Sequence, residues 1–228
     1  MNVRARLVAV NFAGDVRRIR LNLDGPFPFH AGQYLFIVHR SGRRIPFSIA
    51  SSPHLLPSIE LHFRPLPGNE EATLVNEILA GGDVIDLDGP HGEVMVTAAC
   101  EAPLVLIAGG TGIAQARSIV EFLTIREQGA MVLLLWSVAR REELYCDSEL
   151  VAFTDRPWFR YVPLIDMPGD AANAAVRYVE RQGRTLPAAG RVLLCGGAGF
   201  VRSVTAALLK RGIARERLQA DMYSFGVA

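Results

Sequence analysis

The hydrophobic pattern changes period once along the chain, near residue 98. Before that point apolar and polar residues alternate over short stretches separated by turn residues. Val3 to Val10 alternates with Arg4 and Arg6, and Val16 to Leu23 alternates in the same way. Both predict strands, because successive strand side chains point to opposite faces. Gly25-Pro26-Phe27-Pro28 breaks the pattern, since proline donates no ladder hydrogen bond. Phe29 to Val38 then predicts a turn feeding a strand, and Ser41-Gly42-Arg43-Arg44 a hairpin leading to Ile45–Pro53. Ile59–Phe63 and Val84–Leu87 predict further strands, with a short helix over Thr73–Leu79 between them. Short strands separated by such turn signals predict a closed antiparallel barrel.

After residue 98 the apolar residues come in continuous runs, each followed by residues at helical spacing. Leu104 to Ala108 is a run suited to a strand buried on both faces. It enters Gly109-Gly110-Thr111-Gly112, after which Ile113, Ala116, Val120 and Leu123 follow a helical repeat. Met131–Trp136, Arg160–Ile165, Arg191–Cys195 and Leu218–Tyr223 predict further strands, and Ala171–Gln182 a helix. Gly196-Gly197-Ala198-Gly199-Phe200 opens another helix, running through Leu209. Such alternation predicts a doubly wound parallel sheet, with ligands at the C-terminal ends of its strands. Ala98–Pro103 is the expected boundary, giving domains over 1–98 and 99–228.

Composition narrows the function classes. The chain has 228 residues, half of them hydrophobic, enough for two cores. The formal charge is +1 without a basic run, so no nucleic-acid surface is expected. Charges or glycines interrupt every apolar run, so no membrane span is expected, and no export signal follows Met1. Cys100, Cys146 and Cys195 lie far apart, which predicts no metal or iron–sulfur site and a reducing, cytoplasmic setting.

Each glycine turn is ambiguous alone, since a tight strand–helix turn need bind nothing. Neither Gly-x-Gly-x-x-Gly nor a P-loop lysine is present. The ordered set is more specific. Phe29-x-Ala31-Gly32-Gln33-Tyr34, Pro46-Phe47-Ser48-Ile49-Ala50-Ser51, Gly89-Pro90-x-Gly92 and Gly109-Gly110-Thr111-Gly112-Ile113 resemble, in order, the ferredoxin–NADP⁺ reductase superfamily. The chain looks most like its short NAD(P)H:flavin oxidoreductases. The resemblance implies a six-stranded Greek-key barrel for flavin (FAD, FMN or riboflavin) and a parallel-sheet domain for NADH or NADPH. It implies that Tyr34, Pro46, Phe47, Ser48, Ile49, His62 and Arg64 form the flavin side, with Ser48 donating near flavin N5. A hydroxyl fixed there can donate as charge develops. Apart from the motif, Ser48 reads as a turn hydroxyl bonded to backbone and Phe47 as core.

On the nucleotide side the resemblance implies Gly109, Gly110, Thr111 and Gly112, together with Cys195, Gly196 and Gly197. Cys195 reads either as a nicotinamide contact or as a buried structural thiol. Arg140 and Arg141 suit a ribose 2′-phosphate, while Glu142 or Glu143 suits ribose hydroxyls, so both nucleotides stay open. Phe225 or Tyr223 is the expected aromatic closing over flavin.

Two departures concern the flavin phosphate. Ile45 stands where relatives place an arginine, and Glu70 and Glu71 stand near a helix start where FAD-binding relatives carry Gly-x-x-Ser. The expected function is hydride transfer from nicotinamide C4 to an exchangeable flavin. The alternative is a flavin-retaining reductase component serving a protein acceptor, such as an oxygenase or an iron–sulfur protein. A nucleotide-binding regulator without turnover is a third class.

Overall fold

Strands β1 (Asn2–Ala13) and β2 (Val16–Leu23) form an antiparallel hairpin whose tip is Gly14-Asp15. The computed structural model describes residues 1–126, 128–165, 174–175, 177–178 and 190–221. Alternation in β2 puts Val16, Ile19, Leu21 and Leu23 inside. Strands β3 (Tyr34–Val38), β4 (Arg44–Ser48), β5 (Ser58–Phe63) and β6 (Val84–His91) complete a sheet in the order β4-β3-β6-β1-β2-β5. An antiparallel bridge between Ile49 and Leu61 joins the β4 end of this sheet to β5. That bridge closes the barrel. Helix α1 (Glu70–Ala80) adds Ala72 and Val75 to the barrel core.

Helix α1 starts three residues before the predicted Thr73 because Asn69 caps it. The Asn69 carboxamide oxygen accepts from the Glu71 and Ala72 N–H groups.

The second half holds β7 (Leu104–Gly109), α2 (Ile113–Leu123), β8 (Val132–Val138), α3 (Asp147–Ala152), β9 (Phe159–Ile165), β10 (Arg191–Cys195), α4 (Ala198–Lys210) and β11 (Leu218–Gln219). Its five strands are parallel in the order β11-β10-β7-β8-β9. Every residue of β7 before Gly109 is buried, as expected for a strand covered on both faces. One core gathers α2 and α3 side chains, and another gathers those of α4. The chain winds from β7 out to β9 and then returns to β10, beside β7. The winding therefore reverses between β7 and β10, where such sheets open a crevice. Both glycine turns lie there.

Strand β11 is shorter than the predicted Leu218–Tyr223. Ala220 and Asp221 are buried, and Asp221 bonds to Gln115 and to the Val94 N–H instead of extending the sheet. Residues 174, 175, 177 and 178 are helical, and the rest of the expected 171–182 helix lies outside the described residues. Among the described residues, no helix is long and apolar enough to cross a membrane.

Helix α2 docks the halves together through polar side chains. Gln115 donates to the Gly32 carbonyl at 2.7 Å, Ser118 to that of Ser51 at 2.7 Å, and Arg117 to that of Ala50 at 3.0 Å. In return Glu121 accepts from the Ser52 N–H at 2.6 Å. Barrel backbone groups thus find partners on the parallel-sheet half, as buried polar groups require.

Candidate active site

A cleft of about 430 Å³ separates β4 from the two glycine turns. The barrel contributes Tyr34, Ile45, Pro46, Phe47 and Ser48; the other half contributes Thr111, Gly112, Gln115, Gly196 and Gly197. Ser48 is half-buried opposite Tyr34 in the β3–β4 register. Its hydroxyl makes no hydrogen bond among the described residues, so it is not the backbone-bonded turn hydroxyl that its position also allowed.

Strand alternation sends the neighbours of Ser48 inward. Phe47 is 6% exposed and packs in the barrel core with its ring 5.9 Å from Phe63. Phe47, expected beside the flavin ring, is thus anchored in the core while lining the cleft beside buried Ile45. Buried Ile49 takes part in barrel closure through its bridge to Leu61. Tyr34 packs its ring 5.5 Å from Phe36 and 5.6 Å from His91.

His62 lines the same cleft and is tied to its neighbours. Its side chain has no exposure, and its ring nitrogens lie 2.8 Å from the Tyr145 hydroxyl and 2.8 Å from Glu60. Burial pushes the imidazole below its ordinary pKa. Burial opposes ionisation of Glu60, yet its bond to His62 and the charges of Arg117 and Arg18 hold it down at about 2. Tyr145 stands edge-on to Trp136, whose indole N–H donates to the Gly110 carbonyl at 2.9 Å. His62 thus belongs to a chain of contacts from the barrel to the first glycine turn.

The glycines divide into two kinds. A Cβ at Gly112 would lie 2.2 Å from the Cys195 carbonyl oxygen, so close packing of the two turns demands glycine there. A Cβ at Gly197 would meet nothing within 4 Å, although Gly197 lines the cleft. Cys195 itself is fully buried and does not line the cleft; its thiol sits in the core with a raised pKa caused by burial. Of its two readings, the structure takes the buried thiol.

Helices α2 and α4 begin at Gly112 and Gly197 without a side-chain cap. The start of α2 is continuous with a 3-10 turn over Gly110–Gly112, whose carbonyls take the Ile113 N–H, whereas the first N–H groups of α4 are left open at the cleft, a setting that suits phosphate. Helix α1 is the opposite case, since Asn69 already occupies its start and Glu70 and Glu71 add negative charge. Nearby cations are engaged too. Arg43 pairs with Glu70 at 3.1 Å, Arg44 pairs with Asp88 and covers the Phe36 ring, and Arg64 pairs with Glu143 at 2.9 Å. Arg140 is exposed and pairs with Glu143 at 3.2 Å, while Arg141 is exposed and lines neither cleft beside the glycine turns. Tyr223, Ser224 and Phe225 lie outside the described residues.

Sequence reasoning missed Asp221 and Gln115. Gln115 Nε2 donates to Asp221 Oδ2 at 2.6 Å, and both line the cleft. The available signal was polarity out of place: Gln115 falls on the buried face of α2 beside Ala114 and Ala116. Burial pushes the Asp221 carboxyl up to about 6, against the lowering effect of bonds from Val94 and Gln115. The folded state therefore holds this proton more tightly than an ordinary carboxyl at 3.8. Its contribution favours folding below about pH 4 and is lost as pH rises through about 6, on the order of 3 kcal/mol. Urea unfolding between pH 4 and 7 should show this slope in the parent and not in Asp221→Asn. Equal slopes in the two proteins would refute the assignment.

Residues 106–206 match the family model of the oxidoreductase NAD-binding domain. An NAD(P)H-flavin reductase from Vibrio harveyi is 30% identical, covering 99% of this chain and 100% of that protein. The chain belongs to the ferredoxin–NADP⁺ reductase superfamily. Another member, reductase component 2 of terephthalate 1,2-dioxygenase from a Comamonas species, is 32% identical over 92% of this chain. This chain spans 63% of that component's length. A ferredoxin NADP⁺ reductase from Neisseria gonorrhoeae, solved with FAD and NADP, shares the superfamily fold with a TM-score of 0.78. It is 21% identical and overlaps 96% of this chain and 97% of its own.

Proposed function

We propose that this protein is an NAD(P)H:flavin oxidoreductase, with residues 1–98 holding flavin and residues 99–228 holding the nicotinamide nucleotide. The observation that carries the reading is the Ser48 hydroxyl, without a partner among the described residues, sharing one cleft with both glycine turns and the open start of α4. The bound cofactors supply the redox chemistry, a hydride passing from nicotinamide C4 to flavin N5. Ser48 donates a hydrogen bond where charge develops, and the first N–H groups of α4, after Gly197, orient phosphate. The full-length likeness to a flavin reductase supports free flavin as the acceptor. The likeness to a dioxygenase reductase component supports a second reading, transfer to a protein partner from a flavin that stays bound. The reaction is assigned to the cytoplasm, in keeping with three free cysteines.

Flavin choice separates the two. The α1 start is capped and acidic, and Arg43, Arg44 and Arg64 are already paired. Recognition then falls on the ring and ribityl chain, which all three flavins share. Riboflavin, FMN and FAD should bind within about one order of magnitude, a spread of about 1.4 kcal/mol. Fluorescence titration checks this. FAD bound a hundredfold tighter than riboflavin, or protein purified yellow, favours the partner-serving reading.

A further inference from the structure

The structure holds a second cleft, of about 400 Å³, on the other side of the first glycine turn. Gly110 and Thr111 form one wall, the segment after β8 another, and the hairpin tip Gly14-Asp15 reaches across from the barrel. Five charged side chains line it: Asp15, Glu142 and Glu143 against Arg64 and Arg140, one negative charge in excess. In sequence Arg140 and Arg141 suit a ribose 2′-phosphate; in the structure Arg141 does not line this cleft, and the two arginines that do are paired.

Glu143 holds Arg64 at 2.9 Å and Arg140 at 3.2 Å, while Asp15 stands 3.8 Å and 3.9 Å from the same two guanidiniums. Glu143 is itself fixed, its second oxygen accepting from the Ala139 N–H at 3.2 Å. Burial works to raise the Glu143 carboxyl, but Arg64, Ala139 and Arg140 together hold it below the usual range. Glu142 differs, being exposed and without an ion pair among the described residues.

We infer that this cleft selects the nucleotide whose ribose carries free hydroxyls, NADH over NADPH, with Glu142 accepting from the ribose diol. The inference rests on the proposed use of a nicotinamide nucleotide. A diol brings two donors to a carboxylate with an open acceptor face. A 2′-phosphate dianion brings only acceptors and negative charge. To be held it must strip Arg64 or Arg140 from Glu143 while facing the charges of Asp15 and Glu142.

Calorimetric titration of the purified chain with NAD⁺ and with NADP⁺ tests this without turnover. NAD⁺ should bind at least about tenfold tighter at low salt, the order set by two charges facing a dianion. Glu142→Ala removes an exposed side chain and should weaken NAD⁺ about tenfold, with NADP⁺ nearly unmoved. Glu143→Gln should tighten NADP⁺ severalfold by releasing both arginines. NADP⁺ binding as tightly as NAD⁺ to the parent overturns the inference and leaves the proposed function standing. Unchanged NAD⁺ affinity in Glu142→Ala overturns the role of Glu142. If neither nucleotide binds, the proposed function fails and the inference falls with it.

Discussion

Replacing Ser48 by alanine lowers the rate of flavin reduction about ten- to a thousandfold, the scale of one lost donor to developing charge. Flavin affinity changes much less, because the hydroxyl is worth most when charge forms beside it. Three features of Ser48 lead to this result. Ser48 ends β4 opposite Tyr34, so the ladder fixes its backbone. It lines the cleft shared with both glycine turns, and its hydroxyl has no partner among the described residues. Alanine leaves no buried group orphaned, so a fall in rate reports chemistry and not folding. Rapid-mixing single-turnover reduction, paired with a flavin titration, separates the two effects. An unchanged rate removes Ser48 from the mechanism.

The second large effect contrasts two glycines of the same cleft. Gly112→Val drives its side chain into the Cys195 carbonyl and cannot be relieved by a rotamer change, since backbone stands in the way. It should destabilise the parallel-sheet half by about 3–5 kcal/mol, the range of the severest single substitutions. Gly197→Val enters open space with an ordinary φ of −67°, so the fold accommodates it. Its branched side chain then stands at an uncapped helix start and blocks phosphate approach. Thermal unfolding should therefore single out Gly112→Val, and nucleotide titration should single out Gly197→Val. A well-folded Gly112→Val, or a Gly197→Val that binds nucleotide like the parent, contradicts this division.

That contrast also marks what sequence could and could not reveal. Strands β2 and β7 were readable because one-sided and two-sided burial leave different periods, as Val16–Leu23 and Leu104–Ala108 show. The glycine turns were readable as turns. Which glycine serves packing and which serves a ligand depends on the neighbouring turn, some 80 residues away in sequence, and no local pattern encodes that distance. His62 and Cys195 show the same dependence on distant neighbours. Both are chemically suited to a cofactor, yet burial consumes the imidazole in a Glu60–Tyr145 pairing and hides the thiol in the core. The phosphate departures at Ile45 and Glu70 were visible because charge type is local. The occupation of Arg43, Arg44 and Arg64 by other carboxylates was not, because each partner comes from another element.

The central claim is that the cleft brings nicotinamide and flavin together for hydride transfer. Anaerobic mixing of the purified chain with NADH and free riboflavin, followed by the loss of flavin absorbance, tests it most directly. The account predicts catalytic bleaching that saturates in both substrates. A protein that leaves NADH and NADPH unoxidised with riboflavin, FMN and FAD alike would contradict it.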